Sequence, residues 1–384
     1  MPRHPTRRFL LAATGACLTG GVAQASGTPK KRAPPPPPVI GAALPLSGGL
    51  SLTGDECLRG IQLAADAVNA TGGIAGKPVT LVPADAIDQS HAAAAVNTLI
   101  TRNHADILLG GGASVLSYPA SAAAELAQTP YIELNAPADG ITTRGFKFLL
   151  RTGPTTTMIG NLAVGTIQNR YQGHQIGLLF NTGATGGAIA GAAIAALNAA
   201  KAPILLSIGY PETATDLHDP VGRLKRAGAE IVLHASGPDD VLAFFSAMQE
   251  QNWRPNGIIG CGDGYLLRET AFALGPAFDG TLAIGAPFYP PPASPIASAY
   301  AARFGIQPRA ADSLTAYIGA KLVFDTLNAV DGDTSQLLDA LRKTDIPTGS
   351  LLNGWGAAFD HNGQNTRSFV TLQQWRDEQL TTAQ

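Results

Sequence analysis

"VIGAALPLSGGLSLTGDE", residues 39–56, decides the fold class. A short apolar run opening on two β-branched residues enters a Gly-rich turn, and a helix start follows directly. That order is the first strand–turn–helix unit of a parallel-sheet domain. A nucleotide-binding loop has the same outline, but the two spacings that define one, G-x-G-x-x-G and G-x-x-x-x-G-K-[ST], are both missing here. No Lys is placed to meet a terminal phosphate, and no acidic residue is expected to close the next strand in the context a ribose needs. Thr53 and Glu56 instead read as a T-x-x-E capping box, which starts the helix at Thr53. The loop Pro45 to Leu52 then lies at the carboxyl end of the first strand, where open α/β sheets bind ligands. Free amides and the positive end of the helix dipole favour a carboxylate or carbonyl there. A small anionic or polar solute fits better than a nucleotide.

The same alternation continues outward. "PVTLVPA", "ADILLGG", "TPYIEL", "QIGLLF", "APILLSIGY", "AEIVLHAS" and "NGIIGCG" are short apolar runs of the kind buried in parallel sheets. Helical stretches such as "QSHAAAAVNTLITRN" and "DDVLAFFSAMQEQN" separate them. The alternation forms two series, before and after about residue 153, each a Rossmann-like unit. The predicted fold class is α/β, two Rossmann-like lobes with parallel sheets. A chain of 384 residues is long enough for two such cores. With 45% hydrophobic and 14% charged residues and a formal net charge of −2, nothing marks a disordered chain or a nucleic-acid surface.

The first 25 residues read as an export signal: a basic start, a short apolar run and a small-residue exit at Ala23-Gln24-Ala25. Arg7-Arg8 before Phe9-Leu10-Leu11 resembles a twin-arginine signal with its Phe one place early, and a general secretory signal reads equally well. Cys17 is a weak lipidation site, because Thr14-Gly15-Ala16 before it lacks an aliphatic side chain. Residues 26–38 form a stiff Pro-rich linker. Cys57 and Cys261 are expected as free or partly buried thiols, and no Cys or His spacing supports a metal site.

"PLSGGLSLTGDECLRGIQLAADAVNATGGIAGKPVTLVPAD" closely resembles the start of leucine/isoleucine/valine-type periplasmic binding proteins of ABC transporters. The similarity continues in order through "LLGGGASVLSYPASAAAELAQTPYIEL", "GPAFDGTLAIGAPFYPP" and "FDHNGQNTRSFVTLQQW". It implies two lobes joined by three crossovers, with a ligand cleft between them. The N-terminal lobe would comprise residues 39–152 plus 285–365, and the C-terminal lobe 153–284 plus 366–384. It also implies a periplasmic monomer without a cofactor or catalytic activity, which captures a branched-chain or other apolar amino acid, or a related carboxylate. The protein would hand that solute to membrane permease subunits. Aromatic or other organic acids and amides are the alternative solutes. A periplasmic sensor and an exported enzyme are the alternative classes, although no G-x-S-x-G elbow or Ser/His/Asp set supports the enzyme.

In the family, a Ser after a first-lobe strand and amides of the next strand-to-helix loop hold the ligand carboxylate. The resemblance places Ser114 on that Ser and Ala136 in that loop. Ser117 reads as the N-cap of the helix that contains Pro119, or as a ligand contact. Where branched-chain binders carry a Thr in the second loop, this chain has Pro137, which offers neither an amide hydrogen nor a hydroxyl. Thr53 and Thr185 stand where the family has Tyr. The acid that meets the ligand ammonium falls beside Gly262, so Asp263 takes that role shifted by one place, or is a solvated turn former. Tyr118 and Tyr265 either stack on the solute or cover the loops.

Overall fold

The computed structural model describes residues 37–237 and 240–383; the expected export signal, Cys17 and the linker up to residue 36 lie outside them. The chain first runs β1 (Val39–Leu44), α1 (Ser51–Ala70), β2 (Thr80–Asp85), α2 (Gln89–Thr101), β3 (Ile107–Gly110), α3 (Ser114–Leu126), β4 (Tyr131–Glu133) and β5 (Leu149–Arg151). These strands form a parallel sheet of order β2-β1-β3-β4-β5. The second series runs α4 (Thr156–Arg170), β6 (Ile176–Asn181), α5 (Ala184–Ala199), β7 (Leu206–Tyr210), α6 (His218–Ala227) and β8 (Ile231–Ala235). It continues through α7 (Asp240–Glu250), β9 (Gly257–Cys261), α8 (Arg268–Leu274) and β10 (Leu282–Gly285). There follow α9 (Ser294–Phe304), α10 (Asp312–Ala329), α11 (Leu337–Arg342), β11 (Thr371–Arg376) and β12 (Gln379–Thr382).

The second sheet repeats the first order as β7-β6-β8-β9-β10 and then adds β11 and β12. Those two strands pair antiparallel, so this sheet is mixed rather than wholly parallel. The central strands β1 and β3 are continuous apolar runs because helices cover both faces, and β8 departs from this only at the buried His234. After β10 the chain returns to the first lobe. There α10 packs along α1, with Gly60 at the contact, where an added Cβ would collide with the Ser313 carbonyl.

That seam overturns the capping-box reading. The helix starts at Ser51 with Leu50 as N-cap, and Thr53 and Glu56 are both buried within it. Glu56 accepts hydrogen bonds from the hydroxyls of Tyr300 and Ser313 and from the amides of Arg309 and Ala310. A carboxylate that would face water at a cap has been recruited to tie α1 to the α9–α10 segment. The turn before α1 is held differently: Asp85 at the end of β2 takes the Leu46 amide at 2.9 Å and the Ser47 hydroxyl at 2.5 Å. An acidic residue therefore does close the second strand, but it holds the protein's own loop.

Three passages join the sheets: after β5, after β10, and from residues 364–368 into β11. Gln364 bridges to Arg151 at the edge of the first sheet. The Gln364 side-chain amide donates to the Gly153 carbonyl at 2.9 Å, that of Asn365 to Thr152 at 3.1 Å, and the Ser368 hydroxyl to Gly153 at 3.1 Å. Arg151, fully buried, donates to Gln364 and to the carbonyls of Ala136 and Ala138. It lies in register beside the buried Glu133 of β4.

Glu133 and Arg151 do not bond each other directly, but each offsets part of the other's burial through their mutual attraction, so removing one leaves the other less compensated. Arg151→Met is expected to lower stability by about 3–5 kcal/mol in urea denaturation, and the double variant with Glu133→Gln to recover part of that loss.

Candidate functional site

The loops at the carboxyl ends of the two sheets enclose a cavity of about 50 Å³. The first lobe contributes Asn135 and Pro137 after β4 and Asp312 and Thr315 on α10. The second contributes Thr185 at the start of α5 and Gly262 and Asp263 after β9. Ile159, Ile189, Leu266, Ile284 and Val370 supply apolar walls. No Lys, Arg or His is among the lining residues. Gly262 adopts φ +116°, where a side chain would also strike the Ser236 carbonyl, and this bend turns Asp263 into the cleft.

The two aspartates set the electrostatics. Burial pushes both carboxyls above the usual range; the Asp312 charge raises Asp263 further, and the Glu56 charge raises Asp312 against the opposing Asn135 amide. Asn135 donates its side-chain amide to Asp312 and to the Cys57 thiol, while its oxygen accepts from the Gly112 amide.

The loop after β4 faces inward. Glu133 takes the amides of Asn135 at 3.1 Å and Ala136 at 2.9 Å. Pro137 has no amide hydrogen. The Ala138 amide donates to Ser114 Oγ at 3.1 Å, and the Asp139 amide to Thr156 Oγ1 at 3.4 Å. Every amide donor from Asn135 to Asp139 therefore already has a protein acceptor.

Of the residues expected at the site, Thr185 and Asp263 line the cavity. Thr53 lines a neighbouring hollow of about 280 Å³, which Leu52 of the first lobe shares with Leu242, Leu267 and Thr270 of the second. Ser114 and Ala136 are fully buried one layer behind the cavity. Ser114 is the first residue of α3, behind the N-cap Ala113; Ser117 is therefore not the cap, and its hydroxyl donates to Glu133. Tyr118 packs its ring under the Arg144 guanidinium, 5.1 Å away, and does not line the cavity. Tyr265 is completely buried, hydrogen-bonded to His234 Nδ1 at 2.6 Å and stacked on Phe278. It is core rather than a stacking platform: the turn after Gly262 that aims Asp263 outward folds Tyr265 under β9. Cys57 and Cys261 are free and buried, as expected. Asp312 and Asn135 were missed. An Asp at the start of the apolar run "SLTAYIGAKLVF" reads as an ordinary helix-start acid.

Residues 37–379 match the family model described as periplasmic binding protein. The chain belongs to the periplasmic binding protein family. Among its relatives, the Leu/Ile/Val-binding protein homolog 8 of Brucella abortus is 35% identical over 362 residues, 89% of each chain. The fold is that of the branched-chain amino acid transporter substrate-binding protein LivJ from Streptococcus pneumoniae, solved with isoleucine; that match has a TM-score of 0.80 and 19% identity over 90% of this chain and 98% of that one. A Rhodopseudomonas palustris solute-binding protein in complex with 4-hydroxybenzoate matches with a TM-score of 0.78 and 18% identity, over 91% and 96%. Two lobes around a cleft are the architecture these family members share.

A carboxyl with a raised pKa binds its proton more tightly in the folded than in the unfolded chain. Its contribution favours folding at acid pH and is lost as pH climbs from the ordinary Asp value of 3.8 toward the raised values. Asp263→Asn is therefore expected to raise the ligand-free Tm by a few degrees at pH 8, with the difference closing toward pH 4. Thermal unfolding of both proteins across that range checks it. The buried His234, whose pKa is pushed down to about 4, is common to both proteins and cancels in the difference.

Proposed function

We propose that this chain is the periplasmic solute-capturing component of an ABC importer, a monomer exported by the twin-arginine or the general route. The carrying observation is a cavity built half from each lobe at the carboxyl ends of both sheets, with three chain passages beside it. Its 50 Å³ is far below the ~300–1,000 Å³ of small-molecule sites, so admitting a solute requires the lobes to part and close again. A latch spans the closed form. Arg309, before α10, bonds Asp55 of α1 at 2.6 Å and Glu269 of α8 at 2.9 Å, and its carbonyl accepts from the Arg268 amide.

The solute is a small amino-acid-like molecule with an apolar remainder. Asp263 meets its ammonium, and the Thr185 hydroxyl at the start of α5 meets a polar end. Ser114 and Ala136 shape the wall from behind. Closed and loaded, the protein docks on permease subunits and releases the solute to them. Aromatic acids are a second reading, favoured by the fold shared with the 4-hydroxybenzoate complex.

Thermal shift of the refolded chain against amino acids, amides and carboxylic acids tests the role. A specific solute at 100 times its Kd adds about 2.7 kcal/mol of stability, and small-angle scattering should show the molecule contract. If no small molecule stabilises or contracts it, the carrier reading fails.

A further inference from the structure

We infer that the solute is a small cationic amine lacking a free carboxylate, held between Asp263 of one lobe and Asp312 of the other. This rests on the solute-capture reading and narrows it. Two independent features of the cleft carry it.

The first is what the cavity offers a charge. Asp263 and Asp312 line it from opposite lobes, and no basic side chain is among its described lining residues. Among the described residues, Asp312 accepts from the Asn135 side chain and from its own backbone amide, and neither donor carries a charge. Closing the lobes brings two acids into one small, partly apolar space. That arrangement is costly unless a proton or a cation comes with it. A protonated amine has three donors and can bond both carboxylates at once. A metal ion suits the site poorly, because Asn135 turns its NH₂ rather than its oxygen toward Asp312, and no third His, Cys, Asp or Glu joins the two aspartates among the described residues.

The second is what the cavity withholds from a carboxylate. The loop after β4 has no amide left to give: Glu133 consumes those of Asn135 and Ala136, Pro137 has none, and Ser114 and Thr156 take those of Ala138 and Asp139. The carbonyls of Ala136 and Ala138 are tied to the buried Arg151, and that of Pro137 to the Thr156 amide, so the loop cannot simply flip. An α-carboxylate placed there would meet a proline ring and two acids. Thr185 and the start of α5 remain as donors; because Asp263 and Asp312 share the same small cavity, a carbonyl or hydroxyl suits them better than a third carboxylate.

Isothermal titration of the refolded full chain at pH 7.5 with isobutylamine, leucine amide, leucine, isovalerate, isovaleramide and benzoate separates the cases. The expected result is that isobutylamine or leucine amide binds at least tenfold tighter than leucine, with isovalerate and benzoate silent. Affinity for isobutylamine, which stays protonated across this range, should rise from pH 5 to pH 8 as the two acids lose their protons to solvent and become charged partners for it. Asp312→Asn, which keeps the size of the side chain, should weaken the amine tenfold or more while leaving the cooperative thermal transition intact. Tightest binding by leucine, isovalerate or benzoate overturns the amine assignment and leaves the carrier role standing. An unchanged amine affinity in Asp312→Asn also overturns it. If none of these six binds and a wider solute panel is also silent, the carrier reading itself falls, and the assignment with it.

Discussion

Two buried charged residues side by side on adjacent strands, Glu133 on β4 and Arg151 on β5, are the constraint on which the rest depends. The two are register partners and both are completely buried. Charges held that far from water persist only when neighbours satisfy them, and each recruits a different part of the molecule. Glu133 gathers the Ser117 hydroxyl and two successive amides of the following loop. Arg151 gathers two carbonyls of that same loop and Gln364 from the third passage between the lobes. Loop, hinge and first sheet are thereby one polar network.

The polarity of the cleft follows. Because the network consumes the amides of residues 135–139 from behind, the loop after β4 shows the cavity only a proline ring and the Asn135 side chain, which is itself spent on Asp312, Cys57 and Gly112. The acids then dominate: Asp312 from the helix that returns to pack on α1, Asp263 from a turn that only glycine at position 262 can make. On the proposed reading, capture and closure share one electrostatic logic, in which a positive group between the acids offsets the repulsion that closure creates. The Arg309 bridge from Asp55 to Glu269 holds the outer edge of the same interface.

Much of the fold was legible in the chain. Apolar runs separated by helical stretches announced both sheets, because strands buried on both faces cannot alternate in polarity. The site was legible only where a local rule had no rival. Asp263 follows a Gly-rich turn at a strand end, and Thr185 begins a helix after a strand; both reached the cavity. Thr53 and Glu56 satisfy a capping box on paper, but α10 buries them, and Tyr300, Ser313 and two amides claim Glu56. Ser117 lost its cap role because Glu133 needed a donor. Tyr265, two residues after Asp263, went to the opposite side of the turn.

By itself, then, the sequence determined the two α/β lobes and the carboxyl-end loops, because these depend on periodicity and turn chemistry carried within short stretches, while the family came from the resemblance of whole segments such as residues 45–85. Which polar groups face the solute was decided by tertiary structure alone. Asp312 lies some fifty residues beyond Asp263, and Glu133 spends its carboxylate on amides that a local reading counts as free. A hydrogen-bonding group can serve one partner at a time, and only the packed molecule shows which partner has taken it.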